Sequence, residues 1–111
     1  MIDFQIDNRV AFVTMQNSKK LNCLSTELCN ELRQAIHEAY EQSCCAIVLK
    51  AETRNGVWSA GHDINELPLD GTDPLAFNVP MEQLMHDIQD VPIPVIAYVE
   101  GTVWGGASDL C

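Results

Sequence analysis

Two stretches of this chain carry residue types suited to stabilising negative charge on an oxygen: Trp58-Ser59-Ala60-Gly61-His62-Asp63 and Val99-Glu100-Gly101-Thr102-Val103-Trp104-Gly105-Gly106-Ala107. Each sets glycine and small residues where an apolar run gives way to a loop or helix. Backbone N–H groups are exposed at such a junction, and two converging loops can aim two donors at one oxygen. Glycines after strands also make plain turns, so the pattern by itself leaves both readings open.

Other chemistry is poorly served. The three histidines, His37, His62 and His86, do not sit at ligand spacing with any pair of cysteines, so no metal site is expected. His37-Glu38 opens an HExxH pattern, but position 41 is Glu41 and the match fails. The five cysteines (Cys23, Cys29, Cys44, Cys45, Cys111) are odd in number and lack CxxC spacing, and the adjacent pair is badly placed to bridge. They are read as reduced, most of them small core residues.

The elements that would position the two glycine-bearing stretches follow from periodicity. Residues 4–7 and 10–16 read as two strands joined through Asp7-Asn8-Arg9, which supplies turn chemistry for a hairpin. Asn17-Ser18-Lys19-Lys20 is a polar loop. Leu28, Leu32, Ala35, Ile36, Ala39 and Tyr40 then recur at helical steps, predicting a helix over 26–42 capped by Ser25 or Thr26 with Glu27 near its start. Residues 45–51 form a short apolar run that suits a strand buried on both faces. Residues 57–59 are a further short strand, 61–74 a loop with one helical turn at 64–67, and 79–90 a second amphipathic helix. Pro92 and Pro94 precede a strand over 95–99, and Gly101 turns the chain toward Gly105-Gly106, where 105–111 resembles the opening of a helix. This alternation predicts an α/β fold with parallel pairing.

Composition sets the frame. Hydrophobic residues make up 47% and charged residues 20% of 111 positions, the balance of a single globular domain rather than a disordered or fibrous chain. The longest apolar run, 91–99, holds two prolines and is far too short to span a bilayer, so no membrane partner is expected. The start, Met1-Ile2-Asp3, has neither a basic stretch nor an apolar core, which predicts a cytoplasmic protein. The net charge is −10, and no Lys or Arg follows Arg54. Such a surface repels phosphate backbones, so nucleic acid is excluded as a partner. An anionic ligand would meet the early bases, Lys19 and Lys20 among them, or backbone N–H groups.

The two glycine-bearing stretches resemble the signature segments of the crotonase superfamily, the enoyl-CoA hydratase/isomerase family. Lys20-Leu21-Asn22-Cys23-Leu24 is similar to the segment that precedes its first helix, and the strands around 46–50 and 94–97 fall in family order. Within the family, Ser59-Ala60-Gly61-His62-Asp63-Ile64, Glu66-Leu67-Pro68, Asp73-Pro74-Leu75 and Val103-Trp104-Gly105-Gly106-Ala107 point to members that decarboxylate malonyl-type thioesters. The resemblance implies the first half of a crotonase-like ββα spiral, with an acyl-CoA thioester as partner. Coenzyme A would enter as part of the substrate, with no permanently bound cofactor.

Carried over by position, the thioester oxygen would sit in an oxyanion hole made by the amides of His62 and Gly106, and the chemistry would pass through an enolate. His62 contributes its backbone in this reading, not its side chain. Lys19 or Lys20 would meet the CoA phosphates, or would simply be an exposed loop pair. Backbone at Asn22, Leu24 and Ala60 would line the pantetheine and adenine sites. Many members carry a glutamate three residues after the oxyanion glycine; this chain has Asp109, one methylene shorter, which puts a proton shuttle there in question. The chain also stops before the region that holds the family's other catalytic side chain and trimer-forming helices. The expectation is therefore a single truncated domain over 1–111 that self-associates as a homo-oligomer through uncovered apolar faces. Three roles stay open: a turning-over lyase, a thioester binder with little turnover, and a catalytically inactive scaffold.

Overall fold

A computed structural model describes residues 1–53, 56–61 and 79–104. The expected helical turn at 64–67 and helix opening at 105–111 lie outside these residues.

The chain opens with a hairpin, β1 (Ile2–Asp7) against β2 (Val10–Met15), paired antiparallel from Ile2↔Met15 to Asp7↔Val10. Asn8 and Arg9 both take positive φ, 50° and 65°, the requirement of a two-residue primed turn. A short 3-10 turn, Ser18–Lys20, follows, and then α1 (Thr26–Glu41). Ser25 is its cap: the Leu28 N–H donates to Ser25 Oγ at 3.1 Å. The far end closes through Ser43 at φ 60°, whose N–H donates to the Tyr40 carbonyl while the Cys44 N–H reaches back to that of Ala39. That pair of bonds is a Schellman closure.

After α1 come β3 (Ala46–Ala51), β4 (Val57–Ser59), α2 (Val79–Asp90), β5 (Val95–Ala97) and β6 (Thr102–Val103). One sheet runs β1-β2-β3-β5, with the β2–β3 and β3–β5 pairs parallel. A second, two-stranded sheet pairs β4 with β6, also in parallel. Neither β6 nor the 3-10 turn was expected, because two or three residues are too few to show a period. The ladder of β5 runs one hydrogen bond past Ala97, with the Tyr98 N–H on the Leu49 carbonyl, and Val99 lies beyond the strand.

Ala11, Val13 and Met15 of β2 and Ile47 and Leu49 of β3 are buried on one face beneath Leu28, Leu32 and Ile36 of α1 and Leu84 of α2. The void left among them is about 10 Å³, too small to hold a water comfortably, so this interior is packing and not a ligand site. Arg33 ties the two helices, its Nε donating to Asp87 Oδ2 at 2.6 Å and its Nη1 to Gln83 Oε1 at 2.9 Å. The run over β3 departs from the expected double burial: Ala46, Val48 and Lys50 on its other face are half-exposed. The helices cover one face of the sheet, so an alternating strand results. None of the four described cysteines forms a disulfide; Cys29 and Cys44 are buried, and Cys45 is exposed.

Candidate functional site

The two glycine-bearing stretches meet through β4 and β6. Thr102 and Val103 pair with Val57 and Ser59, the Thr102 N–H donating to the Gly56 carbonyl at 2.7 Å and the Trp104 N–H to the Ser59 carbonyl at 3.1 Å. The approach is close enough to demand glycine at 101. Gly101 sits at φ 95°, and a Cβ there would lie 2.2 Å from the Gly56 carbonyl oxygen. Because the pair is parallel, the chain leaves both strands at the same end. Ala60-Gly61 and Trp104 therefore emerge side by side, as the convergence of two loops requires. His62, Gly106 and Asp109 lie outside the described residues; His62 follows Gly61 directly, and Gly106 is two positions beyond Trp104.

The segment before α1 packs against the first of these exits. The Ala60 N–H donates to the Leu21 carbonyl at 2.9 Å, and the Leu24 N–H donates to the Gly61 carbonyl at 2.6 Å. Asn22 lies fully buried between them. Its Oδ1 accepts from the Asn17 N–H at 2.8 Å, and its Nδ2 donates to the carbonyls of Glu52 at 2.8 Å and Trp58 at 3.1 Å. Ser59, also fully buried, donates its hydroxyl to the Asn22 carbonyl at 2.7 Å and accepts from the Gly61 N–H at 3.3 Å. The side-chain polar atoms of Asn22 and Ser59 all have partners, as buried polar groups require.

The structure places Asn22, Leu24 and Ala60 next to one another, with their amides engaged in hydrogen bonds inside the chain. Lys19 and Lys20 stand exposed at the end of the 3-10 turn. Lys20 lines an open groove of about 590 Å³ at the start of α1, with Asn17, Cys23, Ser25 and Asn30 among its other walls. The groove carries charge of both signs, the Lys20 ammonium on one side and the Glu27 carboxylate in the first turn of α1 on the other.

Past β5, Trp58 Nε1 donates to the Tyr98 carbonyl at 2.9 Å, which fastens the strand end to the buried indole. The Tyr98 side chain is exposed, with Lys50 Nζ 5.7 Å from its ring centroid. Its phenol is hydrogen-bonded to the Glu100 carboxylate, which also repels the phenolate, and both effects raise its pKa above the usual 10. Ile96, Val99 and Trp104 are exposed nearby. Among the described residues no group of three or more His, Cys, Asp or Glu could hold a metal, and no helix is long and apolar enough to cross a membrane.

Sequence reasoning assigned no part to the Ser59 hydroxyl, the Trp104 amide or the Leu21 carbonyl. A serine directly after a buried tryptophan was the available signal, since a polar group in such a run must find a partner. The other two are backbone contacts and leave no mark on residue type.

Residues 5–111 match the family described as enoyl-CoA hydratase/isomerase. Methylmalonyl-CoA decarboxylase of Escherichia coli (strain K12) is 42% identical over 103 residues, covering 93% of this chain and 40% of that protein. Human enoyl-CoA hydratase domain-containing protein 3, mitochondrial, is 37% identical over 93 residues, covering 80% of this chain and 30% of its own length. Among solved structures, methylmalonyl-CoA decarboxylase in complex with 2-nitronate-propionyl-CoA superposes with a TM-score of 0.88 at 40% identity, covering 96% of this chain and 41% of that one. Human enoyl coenzyme A hydratase domain-containing protein 3 superposes at 0.79 with 31% identity, over 90% and 40% of the two chains. The chain therefore spans about 40% of the length of the solved relatives, and its α/β architecture is that of the corresponding part of their crotonase-like fold.

Proposed function

This chain belongs to the enoyl-CoA hydratase/isomerase family, and from that premise we propose that it binds an acyl-CoA thioester of the malonyl type and stabilises the enolate formed from it. The observation that carries the reading is the β4–β6 pairing, with the Trp104 N–H on the Ser59 carbonyl. It launches from one place the two segments that lead to the His62 and Gly106 amides. Those amides are the proposed oxyanion donors, each worth about 3–4 kcal/mol to a developing enolate.

In a decarboxylation the bond between the α-carbon and the carboxylate breaks, CO2 leaves, and the electron pair passes to the thioester oxygen between the two donors. The α-carbon then takes a proton. Asp109 is the nearby acid in sequence, and its shorter side chain favours binding over efficient proton transfer. Lys19 and Lys20 meet the CoA phosphates, and Lys20 already borders the groove at the start of α1. With the Leu24 and Ala60 amides engaged, the backbone there offers carbonyl oxygens to the N–H groups of pantetheine and adenine. The exposed Ile96, Tyr98, Val99 and Trp104 support self-association as a homo-oligomer, and such an assembly could also act without turnover as a scaffold.

Calorimetric titration with methylmalonyl-CoA against free CoA tests the reading. Tighter binding of the thioester by about tenfold or more is the expected result, since one charge-stabilising contact is worth at least that factor. Equal affinity for the two ligands would overturn it.

A further inference from the structure

We propose that the hollow where α1 and α2 end together receives a guanidinium on its hydrocarbon stem, the arginine side chain of a partner protein's basic segment. The two helices run parallel. Arg33 meets Gln83 and Asp87, and one turn further on Ile36, His37 and Tyr40 border a hollow shared with Asp87 and Asp90. Both C-terminal ends therefore lie where β3 and β5 begin. The segments that lead to the proposed acyl-CoA site leave from the other end of the sheet, so this proposal does not depend on that reading. The hollow is about 220 Å³. Sites for drug-sized ligands run to about 300–1,000 Å³, so this one suits a single side chain. Buried Ile36 and half-buried Val91 give it an apolar floor.

Charge at this end runs against the usual preference. The last turn of a helix carries partial negative charge and favours Lys or Arg. Neither α1 nor α2 has a base there. Glu38 and Glu41 stand in the last turn of α1, and Asp87 and Asp90 in that of α2. Two bases are near, and both are engaged outside the hollow. Arg33 holds Asp87 Oδ2 and Gln83, and Arg9 donates its Nε to the Ser43 carbonyl at 3.3 Å beyond α1. Tyr40 is an independent sign of an occupant. Its place in the periodic stripe of α1 predicts a core residue, yet it is 52% exposed at the hollow while Ile36 and Ala39 are buried. A guanidinium stacks on such a ring, pairs with carboxylates and lays its methylenes on an apolar floor. A strongly hydrated ammonium gains less from the ring, and an uncharged stem would leave the carboxylates and helix ends uncompensated.

The full chain is titrated with N-acetyl-arginine amide while the NMR resonances of His37 and Tyr40 are followed. Butylguanidinium, the same head and stem without a peptide, and N-acetyl-norleucine amide, a stem without charge, are titrated alongside. The expected result is saturable movement of both residues with the arginine amide, affinity for butylguanidinium within about threefold of it, and no movement with the norleucine amide. Asp90→Asn and Tyr40→Leu should each weaken arginine-amide binding about threefold, the size of one exposed ionic contact or one cation–π contact. Glu52→Gln makes the same charge change beyond the far end of β3 and should leave affinity within about 1.5-fold. All three positions are exposed, so the core is undisturbed. Absence of saturable movement, or equal weakening by Glu52→Gln and Asp90→Asn, would overturn the proposal, the latter as general attraction to a chain of net charge −10. Binding of the norleucine amide as tightly as the arginine amide would also overturn it. So would tighter binding of butylguanidinium than the threefold margin, which marks a site for a free small cation. A lower sedimentation coefficient in Asp90→Asn would give the hollow to a second copy of this chain and overturn it as well.

Discussion

The Trp104 N–H donates to the Ser59 carbonyl at 3.1 Å, although 45 positions separate the two residues in the chain. This one bond ends the β4–β6 ladder and sets the two glycine-bearing segments leaving the sheet from adjacent points. It depends on the turn at Gly101, where the backbone passes so close to Gly56 that a side chain has no room.

Gly101→Ala therefore loses the second sheet. A Cβ 2.2 Å from a carbonyl oxygen, added to a φ of 95°, forces the strands apart. The expected cost is about 2 kcal/mol or more, read from the midpoint of urea unfolding. The tryptophan fluorescence of buried Trp58 should shift toward that of a wetter indole.

Ser43→Gly acts in the opposite direction. Ser43 occupies the left-handed position of the Schellman closure of α1, is exposed, and is used there only through its backbone. Glycine adopts this conformation without the Cβ penalty, so the variant should gain about 0.5–1 kcal/mol. A rise in the thermal midpoint with unchanged far-ultraviolet circular dichroism is the expected observation.

Lys19→Ala with Lys20→Ala addresses the CoA body separately from the thioester. Removing two exposed ammonium groups should weaken free CoA and acyl-CoA by the same factor, about three- to tenfold at low salt. The salt dependence of binding should flatten, and the preference for thioester over CoA should stay as in wild type. Titrations of both ligands at two ionic strengths check all three.

Tyr98 supplies the pH dependence. Its hydrogen bond to Glu100 and the repulsion between carboxylate and phenolate hold its pKa above 10. The folded protein thus favours the neutral phenol, and the stability this contributes is full below pH 10 and is lost as pH rises through the raised value. An absorbance titration of the two tyrosines should resolve one step above the ordinary range. In Glu100→Gln that step should move down toward 10.

Periodicity and local chemistry carried most of this fold into the sequence. Leu28, Leu32, Ala35, Ile36 and Ala39 repeat at helical steps because a helix must bury one stripe, and Ser25 caps it because free N–H groups need an oxygen. The hairpin was legible in Asp7-Asn8-Arg9, and the parallel order in the alternation of strands with helices. The family was legible in the glycine-bearing motifs, which residues 5–111 bear out.

What tertiary structure alone decided is how distant segments meet. A run of apolar residues at β3 does not say whether one face or two will be covered; that depends on where α1 and α2 come to rest. The two residues of β6 carry no period of their own, and they are a strand only because Gly101 lets them lie against β4. Asn22 and Ser59 look like ordinary loop and strand-end polar residues until the fold buries both and each becomes the other's partner. Residue types set which local conformations are cheap, over a few positions of chain. Hydrogen bonds across 37 or 45 positions exist only when the whole core has closed, because only then are their partners brought within reach and shielded from water.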